Sequence, residues 1–389
     1  MASSYSDPKD FVLHISSELL NKYLKEQHNV DFPIGDKKEK RDECADRFIE
    51  FIYEQPERVR NQVFMELEYI NSLSSEQYIN AFCSSYAYID REKEIESVAK
   101  TYDERALLLF TLYPKEFDDY YARANIEEFG VRELTLPPEN VVELSEIDVD
   151  DKLERFEELV QNVYRKSLKG EKCKIKKFDA DGNLILRAYL EDLPTRDTVF
   201  DGKTLDEKHI RKPVFDVVFI YKPSFNFLGV RALGGKAVVS ELQSLFCSHF
   251  LGIKGINTDK ERYSLSTVQD IANLNLVANA SYGVERVYLK AIRLKNKAVP
   301  HKIYIDVGGK EPYSGTDAVQ EILKELNLDT SNGWDPTSIK ITVVFQQTGR
   351  GRRKQVTVTI TPPNTCNLKN RPQDDVVRQL LTDWGIYVS

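Results

Sequence analysis

The chain has 389 residues, 41% hydrophobic and 30% charged, with a net charge of −8. That composition belongs to a folded chain of two or three domains, and it excludes a disordered polymer. No apolar run approaches the ~20 residues of a membrane-spanning helix, so no membrane role is expected.

The five cysteines (Cys44, Cys83, Cys173, Cys247, Cys366) are odd in number, far apart and free of any C-x-x-C pair. They argue against a disulfide framework or zinc module and fit a reduced, cytoplasmic setting. Residues 1–7 lack the basic and apolar regions of a signal peptide. Charge is unevenly spread. Residues 1–170 hold 37 acidic and 22 basic residues, a net of −15, and residues 171–389 hold 25 and 32, a net of +7. Such segregation points either to polyanion binding by the basic part or to internal complementarity between the parts.

In chain order, residues 7 to about 130 read as helices. Asp7-Pro8 and Gln55-Pro56-Glu57 mark helix starts, and Ser74 or Ser75 suits a third N-cap. Apolar residues recur at helical spacing, as in Val59, Val63, Leu67 and Ile70. Tyr78, Tyr86, Tyr88, Tyr120 and Tyr121 suit either a core or a protein interface. The acids Glu143, Glu146, Asp148, Asp150 and Asp151 lack the glycine turn of a calcium loop and read as a linker. A helix over 153–168 closes this part, with a boundary near Gly170.

Beyond Gly170 the period shifts to strands. Segments 173–178 and 184–190 flank Asp179-Ala180-Asp181-Gly182-Asn183, a hairpin signal. The polar stretch 191–212 reads as a long loop, and 214–221 as a dense apolar strand. Gly234-Gly235-Lys236 opens a helix. A short helix is expected over 266–276, strands over 284–294 and 302–307, and a helix over 317–326. Ile339, Ile341, Val343 and Phe345 alternate with polar or small neighbours, and Val356, Val358 and Ile360 do so on a returning strand. Pro372 to Trp384 reads as the last helix.

The expected fold is α+β and multidomain: an acidic all-helical domain over 1–170, an α+β domain over 171–260, and a second over 261–389 with a basic hairpin and C-terminal helix. The two hairpin-rich blocks are candidates for a distant duplication.

The chemistry is sparse. Arg350, Arg352, Arg353 and Lys354 crowd the tip of the last hairpin beside two glycines, and Arg293, Lys295 and Lys297 form a second basic stretch. Both suit phosphate contacts. Gly234-Gly235-Lys236 and Gly308-Gly309-Lys310 lack the full phosphate-loop spacing. Asp216, Glu191 and Asp192 are the only acids that suggest a metal-dependent nuclease, and they lack the E-x-K partner. Cys247 and His249 sit two apart on one helix and point away from each other. No catalytic residue, metal site or cofactor is assigned.

The reading is therefore a non-enzymatic subunit of a larger assembly. Its helical domain would hold a protein partner or a second copy, and its basic hairpin would touch DNA or RNA. A bacterial accessory or anti-phage system is a natural setting that no residue specifies. The alternatives are a nuclease with a dispersed acidic site and a purely protein-binding scaffold.

Overall fold

The computed structural model describes residues 8–35, 39–86, 95–127, 130–180, 182–258, 260–268, 276–307, 318–328, 333–347 and 353–388. They form two compact units, 1–125 and 126–389. The class is α+β, as the change of period predicts: helices come first, then antiparallel sheets with covering helices.

The first unit is built from helices. Ser75 accepts from Tyr78 N to start Glu76–Ser85, and Thr101 and Glu104 form a capping box at Tyr102–Leu112. Asp7 lies outside the described residues. The core joins Leu20, Tyr23, Phe48, Ile52, Val63, Leu67, Leu107 and Phe117. The tyrosines largely serve this core. Tyr120 is buried against Phe82, and Tyr78, Tyr86 and Tyr121 pack partly buried on the same cluster. Tyr88 is outside the described residues.

The second unit contains two five-stranded antiparallel sheets. In the first, β1 (Arg132–Thr135), β2 (Cys173–Ala180), β3 (Asn183–Glu191), β6 (Val214–Lys222) and β7 (Phe227–Arg231) take the order β1-β7-β6-β3-β2. The helices Val149–Arg165 and Gly235–Phe250 cover one face. Phe156 meets Phe219 at 5.1 Å and Phe250 at 4.8 Å. Each such ring contributes about 1.5–3 kcal/mol by leaving water. The helix Val149–Arg165, expected to close the helical domain, thus lies in the core of the second unit. Its apolar stripe, including Phe156, Val160, Val163 and Tyr164, has its partners on this sheet. The division falls at residue 125 and not near Gly170.

The stretch 191–212 is not a loop. It holds a two-stranded hairpin of β4 (Thr195–Asp201) and β5 (Thr204–Arg211). Its polar, exposed residues hid it: Phe200 is 75% and Ile210 67% exposed, so no buried face marks the strands.

In the second sheet, β8 (Val284–Asn296), β9 (Lys302–Asp306), β10 (Trp334–Phe345), β11 (Gln355–Thr361) and β12 (Thr365–Cys366) take the order β12-β11-β10-β8-β9. The helices Ala318–Glu325 and Pro372–Asp383 bury Val319, Leu323, Val377 and Leu381 against one face. The predicted β10–β11 alternation holds, with Ile339, Ile341, Val343, Val356, Val358 and Ile360 all in the core. Along β8, expected as a strand over 284–294, the residues do not alternate simply between the faces. The register against β10 slips between Lys340 and Ile341, leaving Lys290 as an extra residue. This bulge sends both Leu289 and Ile292 into the core and puts Ala291 opposite Lys340 on the other face. The expected helix over 266–276 is a 3-10 turn, Ser266–Val268, with 269–275 outside the described residues.

The two blocks do not match as a duplication strand for strand. The four strands that the first block adds to its sheet run β7-β6-β3-β2, a sequential meander apart from the β4–β5 insertion, whereas in the second block the earliest strand, β8, is interior.

Candidate nucleic-acid interface

The outer face of the second sheet follows from its register. Arg286, Tyr288, Ala291, Arg293 and Lys295 of β8 share it with Tyr304 and Asp306 of β9, Lys340 and Thr342 of β10, and Thr357 and Thr359 of β11. Both covering helices lie on the opposite face. The middle of the outer face is closed, with Ala291, Thr342 and Val344 buried. Thr342 and Thr357 pair their hydroxyls there at 3.0 Å. The exposed strip runs along β9 and the distal half of β8, where Arg293, Lys295, Lys297, Lys302 and Tyr304 are all exposed.

Two tyrosines lie among these cations. The Arg293 guanidinium sits 5.6 Å from the Tyr304 ring centroid, and that of Arg286 5.7 Å from the Tyr288 ring. The Tyr304 phenol donates to Asp306 at 2.6 Å, and Lys340 Nζ reaches both at 3.4 Å. The Tyr304 hydrogen bond, aided by Lys340, holds the Asp306 carboxyl below its ordinary value.

The predicted basic residues divide between the two ends of β8. Arg353 pairs with Glu285 at 3.3 Å, at the start of the strand. Lys297 pairs with Asp335 at 3.0 Å just past its other end. Lys354 is exposed beside Arg353. Arg350 and Arg352 lie outside the described residues. Eight residues of β8, from Glu285 to Arg293, separate the two groups, about 25 Å at the usual strand rise. They make a track, with Arg286, Arg293 and Lys295 along it, and not one compact patch.

Ion pairs are frequent on the first sheet and its helices, and along the track they are confined to Arg353, Lys297 and Lys340. On the first sheet and its helices, Lys169 pairs with Asp192 at 2.8 Å, Lys174 with Glu157 at 3.1 Å, Lys177 with Asp150 at 2.9 Å, and Lys212 with Glu191 at 2.6 Å. The acids of 126–170 are therefore partly consumed by the lysines that follow them. Divided at residue 125, the net charges become −9 and +1, and residues 261–389 alone carry +4. Among the described residues, no carboxylate pairs with Arg286, Arg293, Lys295, Lys302 or Lys354 within 4.0 Å.

The catalytic candidates are engaged elsewhere. Asp216 is held by Arg187 at 2.8 Å and lies 3.7 Å from Arg231. Glu191 and Asp192 are in the lysine pairs above. Asp148 caps the helix Val149–Arg165. Among the described residues, no group of three or more His, Cys, Asp or Glu side chains is placed to hold a metal ion. Cys247 is buried, which pushes its thiol up to about 12, and His249 contacts Lys152 O at 2.9 Å. All five cysteines are free thiols. Gly234 turns β7 into the next helix at φ +108°, where a Cβ would come within 2.6 Å of Val238, so the turn itself requires the glycine. Gly308-Gly309-Lys310 lies outside the described residues.

Sequence reasoning missed a buried ionic group between the two sheets. Lys222 Nζ donates to both oxygens of Asp375 at 2.6 and 2.7 Å. Arg378 donates to Asp375 at 2.9 Å and to Glu133 at 2.8 Å, and Tyr263 donates to Glu133 at 2.7 Å. Lys222, Glu133 and Arg378 are buried. The only signal was local: Lys222 ends the apolar run 217–221, and Arg378 adjoins Val377 on a buried helix face. Lys222 and Asp375 also line a cavity of about 450 Å³ with Ile185, Ile220 and Val376. Its two charges already neutralise each other.

Among the described residues, no helix is long and apolar enough to cross a membrane. No protein-family model, curated protein or solved structure matches the chain.

Proposed function

We propose that this chain is a non-enzymatic subunit of a larger assembly that binds nucleic acid along β8 of its second sheet. The observation that carries this reading is the contrast in charge pairing. Lys174 and Lys177 of the first sheet, and Lys169 and Lys212 beside it, have carboxylate partners, although Lys176 has none, whereas Arg286, Arg293, Lys295, Lys302 and Lys354 lie close together along the second sheet with none among the described residues. Cations without internal partners attract phosphates and release counterions when they bind them. Arg353 and Lys354 stand at one end of the track. The non-enzymatic part is supported by the engagement of Asp216, Glu191, Asp192 and His249 in structural contacts. The helical unit is the part assigned to a protein partner, where Met65 at 73% and Tyr53 at 61% exposure offer apolar contacts.

The test compares two triple variants by fluorescence anisotropy on labelled oligonucleotides. One replaces Arg293, Lys295 and Lys302 by alanine. The other replaces Lys166, Lys172 and Lys174, removing the same charge from side chains that pair with Glu241, Glu191 and Glu157. The first should weaken binding at least tenfold more than the second. Equal loss in both would leave only a general charge effect, and no binding by the wild type would end the proposal. Salt-dependent self-association of the wild type without oligonucleotide binding would favour the scaffold reading.

A further inference from the structure

We infer that the nucleic acid bound along β8 is single-stranded, with bases stacked on Tyr304 and Tyr288. The inference rests on the proposed β8 interface and specifies its ligand. Three observations carry it.

The first is shape. The track lies on the face of a five-stranded sheet, about 20 Å across at the usual strand spacing. A major groove about 12 Å wide admits a helix or a two-stranded ribbon, and not a sheet of that width. The β4–β5 ribbon would fit a groove, but residues 195–211 carry four acids against four cations, and Arg211 is paired with Asp197 at 2.7 Å. That ribbon has no net attraction for phosphate.

The second is the placement of aromatic rings among cations. Tyr304 is 54% exposed, and its phenol is fixed by Asp306. Arg293 lies over the ring. A flat, oriented ring with a guanidinium beside it is a platform on which any base can stack. Tyr288 and Arg286 repeat the pairing further along the strand, half-buried. In a duplex the base faces are already stacked on one another, so only an unpaired strand can use both tyrosines.

The third is spacing. Tyr304 lies opposite Arg293, five residues beyond Tyr288 on β8, about 15 Å along the strand. Arg286, Arg293 and Lys295 flank the two rings, so phosphates and bases of one extended chain find partners in alternation.

The experiment measures binding of full-length protein to labelled oligo-dT and oligo-U of about 12 nucleotides, within the footprint of single-strand binders, and to a DNA duplex of the same length. Wild type is compared with Tyr304→Leu and Tyr304→Phe. The inference predicts that single strands bind at least tenfold tighter than duplex. Tyr304→Leu should weaken single-strand binding about tenfold, while Tyr304→Phe keeps most of it because the ring remains. The oligo-dT and oligo-U arms separate DNA from RNA. Tyr304 is more than half exposed on an edge strand, so the leucine variant should melt with the wild type by circular dichroism. Equal or tighter duplex binding, or a Tyr304→Leu variant that binds as well as wild type, overturns the single-strand assignment and leaves the β8 interface standing. Failure to bind any of the three probes overturns the interface as well.

Discussion

Arg378 donates to Glu133 at 2.8 Å across 245 residues of sequence, with both side chains buried. Glu133 belongs to β1 of the first sheet and Arg378 to the helix covering the second. Burial works against the guanidinium charge, but Glu133 and Asp375 outweigh it and hold Arg378 above its ordinary value. A buried pair like this adds little net stability over an apolar substitute, yet breaking one side leaves a stranded charge. The pair therefore fixes which surfaces of the two sheets meet.

Arg378→Ala should lower stability by about 3–5 kcal/mol, measured by urea denaturation followed through the emission of Trp334 and Trp384. Combining Arg378→Met with Glu133→Gln should recover much of that loss, because glutamine still accepts from Tyr263. A single variant costing under about 1 kcal/mol would show that water reaches Glu133.

A second prediction concerns acid. In the helical unit, Tyr23 donates to Glu66 at 2.5 Å, and His28 Nε2 lies 2.8 Å from the same oxygen. Burial pushes the Glu66 carboxyl up, but hydrogen bonds to His28 and Tyr23 outweigh it and hold it below its ordinary value. A carboxyl with a lowered folded-state pKa stabilises the fold above its unfolded value, about 4.3, and that contribution fades as pH falls through the folded value. Hydrogen exchange of the helix Glu57–Asn71, taken relative to the intrinsic rate at each pH, should therefore accelerate below about pH 4.3. In Glu66→Gln it should be faster than wild type at pH 7, with the difference closing in acid. A constant difference across that range would contradict the account.

The β4–β5 hairpin offers a third. Asp192 N donates to Pro213 O at 2.8 Å at its base, while Phe200 and Ile210 project into solvent. Replacing Thr195 to Arg211 with a short Gly-Ser turn should change stability by under about 1 kcal/mol, because the core loses no side chain and the loop closes over a shorter length. A loss of several kcal/mol would mean that the hairpin covers part of the fold.

What could be read in advance follows from where burial is one-sided. The β10–β11 hairpin and the helix Pro372–Asp383 each bury one face, so Ile339, Val358 and Leu381 announce them by period alone. The β4–β5 hairpin buries neither face and left no alternation to read. The β8 bulge breaks the period at Lys290, a residue with no turn signal of its own. The helix Val149–Arg165 was legible as a helix, but its allegiance depended on Phe219 and Phe246, which lie 63 and 90 residues beyond Phe156. The candidate site was legible only as composition. Arg293, Lys295 and Lys297 stood out as charge, whereas Tyr304, which gives the strip its aromatic ring, enters only through the β8–β9 register.

The most direct test of the β8 interface is the slope of log affinity against log salt for oligo-dT. Wild type is compared with the Arg293, Lys295 and Lys302 triple alanine variant, with the Arg350, Arg352, Arg353 and Lys354 quadruple variant, and with both combined. A single strand loses about 0.7 in slope for each neutralised phosphate. The account predicts that the triple variant lowers the slope by about 2, that the quadruple variant lowers it further, and that the two effects add. A wild-type slope near zero, or a slope unchanged in both variants, would contradict phosphate binding along β8.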